Sequence, residues 1–181
     1  MKKRTAFTLF TIALCSIFFT ACAQNKVAEK QELTIKNKPM KNPYYSRTDS
    51  KKLQISDAEW KKVLPADLYA VARNAETEPA FTGKMWNAET KGNYYCAVCG
   101  NQLFRSNQKF ISSCGWPSFF EQENKSSIVF KNDNSYGMQR IETLCGRCDS
   151  HLGHLFDDGP APTGKRYCMN AISLEFEPDT K

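Results

Sequence analysis

Four textures of apolar and polar positions succeed one another along the chain. Met1–Arg4 is basic, and Ala6–Phe19 is apolar except for Thr8, Thr11 and Ser16. At about 14 residues this run is too short to span a bilayer but suits the core of a signal peptide. From Ala23 to about Lys52 the chain is polar, rich in Lys, Asn and Gln, with Pro39 and Pro43 and almost no aliphatic periodicity. That pattern predicts a flexible tether over residues 22–52. Ser56-Asp57-Ala58-Glu59 then matches a capping box, in which the Ser hydroxyl bonds the amide three residues on and Glu reaches back. It predicts a short helix through about Val63, and Pro65 suits the first turn of a second helix ending near Arg73.

From Asn93 the texture becomes β-rich. Short pieces at Tyr94–Cys96, Gln102–Arg105, Lys109–Ser112, Ser127–Lys131, Gly137–Thr143, Leu155–Phe156, Arg166–Met169 and Ala171–Phe176 are separated by Gly, Asn, Asp and Pro clusters. The expected fold is mainly β, with short N-terminal helices on an antiparallel β-core of tent or sandwich type. The expected organisation is a signal peptide at 1–21, the tether at 22–52 and one domain at 53–178.

The residues closing the apolar run bear on location. Phe19-Thr20-Ala21-Cys22 resembles a lipobox, the bacterial lipoprotein signal whose cysteine is diacylated and becomes the new amino terminus. It departs at Phe19, where an aliphatic residue is usual. Ala21-Cys22-Ala23 also reads as an A-x-A site that would release a soluble protein beginning at Gln24. The lipoprotein reading is favoured because a cysteine there has no other evident role. It places the domain in the cell envelope, on the periplasmic side of a bacterial membrane, anchored through lipid on Cys22.

The formal charge is +6, from 25 Lys+Arg against 19 Asp+Glu. Removing residues 1–21 takes away Lys2, Lys3 and Arg4 and no acidic residue, which leaves +3. A charge of that size serves solubility and argues against a nucleic-acid partner.

The eight cysteines and two histidines are more informative. Cys96-Ala97-Val98-Cys99 and Cys145-Gly146-Arg147-Cys148 are two C-x-x-C knuckles. Two-residue spacing lets both thiolates of a knuckle reach one ion, and two knuckles complete the tetrahedral sulfur shell that Zn²⁺ prefers. A full shell is structural, and here it would clamp segments distant in sequence. A redox C-x-x-C belongs with a βαβ pattern that is missing here, whereas two structural disulfides remain a rival in an exported chain.

Outside the knuckles and the leader only Cys114 and Cys168 remain, and the sole histidines are His151 and His154. A thiolate nucleophile needs a positive neighbour, and Arg166 or an imidazolium could supply it. A second cysteine can condense with an oxidised first one. An imidazole can pass protons. A plain Cys114–Cys168 disulfide with histidines hydrogen-bonded in the core remains equally open on composition alone.

Gly115-Trp116-Pro117-Ser118-Phe119, Gly137-Met138-Gln139-Arg140, the second knuckle, His151-Leu152-Gly153-His154, Asp158-Gly159-Pro160, Thr163-Gly164 and Arg166-Tyr167-Cys168-Met169-Asn170 resemble the B-type methionine sulfoxide reductases, in order from about Trp60 to Phe176. The resemblance implies reduction of methionine-R-sulfoxide, free or in proteins, with Cys168 as nucleophile and Cys114 as resolving thiol. It implies structural Zn²⁺ on Cys96, Cys99, Cys145 and Cys148, no bound organic cofactor, and recycling by a thioredoxin-like dithiol. Trp116 would receive the substrate's methyl group, with Phe119 and Phe156 completing the apolar contacts. His151, His154, Arg166 and Asn170 would line the polar side, with His154 the first choice as proton donor. Met169 departs from the aliphatic β-branched residue common there, and Ala171 from Ser or Gly. Two other readings stand beside this one: an idle zinc-stabilised binding module, and a disulfide-exchange protein.

Overall fold

A computed structural model describes residues 42–180. The expected leader and Cys22 lie outside the described residues. Helix α1 (Asp57–Val63) starts at Ser56, whose hydroxyl accepts the Glu59 N–H at 3.3 Å. Glu59 pairs forward with Lys62 instead of reaching back, so half of the expected capping box forms. Helix α2 (Ala66–Asn74) follows Pro65 and buries Leu68, Val71 and Ala72, the i, i+3, i+4 face of an amphipathic helix. It ends at Ala75 in the left-handed conformation (φ 55°).

Nine strands follow among the described residues: β1 (Gly92–Cys96), β2 (Gln102–Arg105), β3 (Lys109–Phe110), β4 (Ser118–Phe119), β5 (Ile128–Asp133), β6 (Arg140–Cys145), β7 (His151–Phe156), β8 (Arg166–Met169) and β9 (Leu174–Pro178). They form two antiparallel sheets, of order β2-β1-β9 and β3-β4-β8-β7-β6-β5. The mainly β fold with two short helices is as the sequence predicts. Three details differ. Ser118–Phe119 is a strand that a Gly/Pro-flanked pair does not announce. Strand β7 begins at His151 and carries both histidines. Ala171–Ser173 forms a 3₁₀ turn ahead of β9. The core packs Trp60 from α1 with Tyr94, Phe104, Phe119, Leu152 and Met169 from the sheets.

Residues 42–52 do not behave as a tether. Tyr44 packs edge-on against Trp60, with ring centroids 5.2 Å apart. The Ser46 N–H donates to the Cys99 carbonyl (3.0 Å), and Asn42 Nδ2 donates to Val98 O (2.7 Å). Arg147, inside the second knuckle and 3% exposed, donates to the carbonyls of Tyr44, Ser46, Lys51 and Cys99, and pairs with Asp49 at 3.2 Å. This segment is a strap fastened across both knuckles. A buried guanidinium satisfies strap carbonyls that a polar composition alone suggests are solvated.

Candidate active site and metal centre

Sheet register assembles the site. Lys131 on β5 stands opposite Glu142 on β6, Glu142 opposite His154 on β7, His154 opposite Cys168 on β8, and Cys168 opposite Ser118 on β4. Directly opposed residues point to the same face, so one row crosses the sheet with Cys168 between a histidine and a hydroxyl. Gly153 keeps β7 close to β8, because a Cβ there would meet the Cys168 carbonyl oxygen at 2.0 Å.

Cys114 reaches this row from the loop before β4. Its Sγ lies 3.5 Å from Cys168 Sγ and 3.5 Å from Ser118 Oγ. Gly115 turns the loop at φ +85°, and the Phe81 ring occupies the place where a Cβ would sit. The Met169 N–H donates to the Pro117 carbonyl (2.9 Å) and fastens the loop to β8.

The two thiols differ in electrostatic setting. Burial pushes the Cys168 thiol up to about 12, the neighbouring Cys114 adds to the rise, and Arg166 opposes it. Burial also raises Cys114, but hydrogen bonds with Ser112, Ser118 and the Trp116 backbone outweigh it and bring Cys114 down to about 7. The expected activation of Cys168 by Arg166 is therefore not the net result. The guanidinium is engaged by both carboxylate oxygens of Asp158 (2.7 and 2.8 Å) and lies over the Phe156 ring at 4.3 Å.

Beside Cys168 is a cavity of about 120 Å³, lined by Thr77, Trp116, His154, Phe156 and Asn170 together with Arg140, Gly153 and Met169. Trp116 is fixed by its indole N–H, which donates to the Glu78 carbonyl (3.1 Å). Asn170, 3% exposed, donates to the Leu152 carbonyl (3.2 Å) and accepts from the Glu78 N–H (3.0 Å). His154 and Arg140 also border a larger polar cavity of about 610 Å³.

Each histidine is backed by a carboxylate. His154 Nε2 lies 2.8 Å from Asp133 Oδ2, which also accepts from Arg140 at 2.6 Å. Hydrogen bonds from Ser135 and then His154, with the charge of Arg140, hold the Asp133 carboxyl far below its ordinary range. His151 Nδ1 lies 2.7 Å from Glu142 Oε1, and its buried Nε2 has no hydrogen-bond partner among the described residues. Burial lowers the His151 pKa, against the pull of Glu142.

The residues singled out from sequence thus divide. Cys168, Trp116, His154, Phe156 and Asn170 converge on the small cavity, and Cys114 approaches it only through Cys168. Arg166 stacks on its Phe156 wall, and His151 lines the larger cavity. Phe119 does not take part: it is fully buried and stacks on Phe104 with centroids 4.0 Å apart. Side chains alternate along a strand, so Ser118 faces Cys168 and the next residue faces the core. Thr77, Glu78, Asp133 and Glu142 carry no signal in the sequence, where nothing marks a lone threonine as a cavity wall or a lone acidic residue as a partner of a distant ring or loop.

Cys96, Cys99, Cys145 and Cys148 are buried and gather their Sγ atoms within 4.8 Å of one another. The Cys96–Cys148 and Cys99–Cys145 separations are 3.8 and 3.6 Å. A tetrahedral zinc with bonds of about 2.3 Å needs sulfur–sulfur edges of about 3.8 Å. The donor set therefore fits one tetrahedral ion and could hold it. The centre shares no residue with the cavity beside Cys168.

The arrangement is that of two neighbouring free thiols beside a cavity on a sheet, with a separate four-cysteine centre. The family model described as the SelR domain matches residues 64–178, and the chain belongs to that family. It is 51% identical over 127 residues to the peptide methionine sulfoxide reductase MsrB of Methanosarcina barkeri, covering 70% of this chain and 89% of that protein. It is 48% identical over 130 residues to MsrB of Acinetobacter baylyi, covering 72% and 94%. Against MsrB of Thiobacillus denitrificans the identity is 50% over 123 residues, covering 68% and 93%.

Proposed function

We propose that the chain is a peptide-methionine (R)-S-oxide reductase that repairs oxidised envelope proteins. The observation that carries this reading is the pair of thiols 3.5 Å apart, one of them at the wall of a small cavity shared by an indole and an imidazole. Relatives of about half-identical sequence, named as peptide methionine sulfoxide reductases, support the reduction of methionine sulfoxide.

The chemistry follows from the sulfoxide. Its sulfur is electrophilic, and its oxygen leaves only as it is protonated, so a sulfur nucleophile and an acid must converge on one group. The sulfoxide's methyl group rests on Trp116. The Cys168 sulfur attacks the sulfoxide sulfur and gives up its proton to water as the S–S bond forms. The oxygen takes up a proton from His154, held by Asp133. The hydroxyl then passes to the Cys168 sulfur as the S–O and S–S bonds to the substrate sulfur break: methionine leaves with the electron pair and Cys168 becomes a sulfenic acid. The Cys114 thiolate attacks that sulfur, hydroxide leaves and is protonated to water, and a Cys114–Cys168 disulfide forms. Exchange with a thioredoxin-like dithiol restores both thiols and oxidises the dithiol.

Burial of Cys168 sets a condition on the first step, since its proton leaves with bond formation and not in the resting pocket. The low value at Cys114 suits the second step, because a thiolate within reach is the competent resolving species. Zn²⁺ on the four cysteines would act as a structural clamp between the knuckles, outside the reaction. Export and lipid attachment at Cys22 rest on the amino-terminal pattern alone.

Turnover of the R and S epimers of methionine sulfoxide, given separately with dithiothreitol, tests the reading. Methionine from R alone is the expected result. Methionine from neither epimer, with folded and metal-loaded protein, overturns it.

A further inference from the structure

Glu78 lies in the loop between α2 and β1, and its hydrogen bonds all run to elements around the cavity. Its main-chain N–H donates to Asn170 Oδ1 (3.0 Å), and its carbonyl accepts the Trp116 indole N–H (3.1 Å). Its carboxylate accepts the Ala171 N–H on one oxygen (2.6 Å) and the Ile172 N–H on the other (3.0 Å). Those two amides open the 3₁₀ turn that begins three residues after Cys168. The preceding residue, Thr77, is itself a cavity wall. The loop folds back tightly at Gly83, where a Cβ would meet Glu78 Oε1 at 2.6 Å and Ala171 Cβ at 2.5 Å.

We propose that Glu78 is the positioning residue of the substrate cavity, its carboxylate anchoring the loop to the turn after Cys168 so that its own main chain holds Trp116 and Asn170. The inference rests on the reductase reading. The amides at the start of a helical turn have no partner within the turn, and a carboxylate satisfies them with charge-assisted bonds stronger than neutral ones. Bidentate attachment fixes orientation as well as distance. Trp116 comes from the loop before β4 and Asn170 from the end of β8, and among the described residues Glu78 bonds to both. A shift in this one anchor therefore moves two walls of the cavity together, and small misplacements of a bound substrate are costly in rate.

Glu78→Gln tests this, because it keeps the size of the side chain but turns an NH₂ group against a backbone N–H. In the full-length protein, kcat/KM for methionine-R-sulfoxide is expected to fall roughly tenfold to a hundredfold. The Trp116 indole N–H resonance, assigned with Trp116→Phe, is expected to move. Combination with Asn170→Ala is expected to be non-additive, since both changes act on one contact. A purely structural staple would lower the melting temperature, leave the indole resonance and kcat/KM in place, and add to Asn170→Ala; that outcome overturns the proposal. Should Glu78→Gln not fold, Trp116→Phe decides: it leaves the carboxylate intact, and unchanged kcat/KM there overturns the proposal. If the unmutated protein turns over neither epimer, the reductase reading fails, while the indole resonance still decides the role of Glu78.

Discussion

His154 stands directly across the β7–β8 ladder from Cys168, and its Nε2 lies 2.8 Å from the Asp133 carboxylate. Because β7 and β8 are hydrogen-bonded neighbours, the ladder fixes the backbone of His154 opposite that of Cys168. Asp133 is in turn bound by Arg140 at 2.6 Å, so the ring is held from behind by an ion pair.

Cys168→Ser is expected to abolish turnover. Cys114→Ser is expected to reduce about one equivalent of sulfoxide per enzyme with a thioredoxin-type reductant and then stall as the sulfenic acid. Single-turnover assay with trapping of the sulfenic acid by dimedone checks both. Multiple turnover by the Cys168 variant would refute its role.

In reduced enzyme Cys114 should alkylate ahead of Cys168, with half-maximal rate near pH 7, where its thiol is held by hydrogen bonds. Cys168, raised to about 12 by burial, should stay largely unreacted at that pH. Mass spectrometry of iodoacetamide-treated protein across pH reads both sites.

Acid should weaken the fold in two stages. Burial holds His151 below its ordinary value, so the unfolded chain takes up that proton first, and stability is lost as pH falls below about 6.5. Asp133 has a lowered folded-state value, so its contribution is present above about 3.9 and lost as pH falls further. Melting temperature against pH should fall less steeply between neutrality and mild acid in His151→Gln than in the unmutated protein.

Removing the metal is expected to cost most of the folding stability, since structural zinc binds with roughly 10–16 kcal/mol of apparent free energy. Calorimetry before and after chelation, with metal content verified, measures it. Arg147→Ala should release metal to a chromogenic chelator faster and lower stability by about 3 kcal/mol, because it orphans buried carbonyls.

Cys22→Ala is expected to move the protein from the membrane to the soluble fraction, because lipid chains anchor at about 0.8 kcal/mol per buried methylene. Persistent membrane association would refute lipid attachment at that residue.

The chemical inventory was legible in the sequence because spacing is covalent. A C-x-x-C knuckle must bring two sulfurs together wherever it folds, and two knuckles suffice for a four-sulfur shell. Ser56 and Pro65 likewise mark helix starts from local physics, since the groups they satisfy or omit lie within a few residues. Register is not local. Whether His154 or His151 faces Cys168, whether Phe119 faces substrate or core, and whether Asp133 meets His154 all depend on strand pairing. A slip of one residue would turn each to the opposite face. Tertiary packing alone brings Cys114 to 3.5 Å from a thiol 54 residues away, fastens residues 42–52 over the knuckles through Arg147, and gives Glu78 its partners. Those contacts depend on long loops closing, and the free energy that closes them is spread over the whole core rather than written in any one segment.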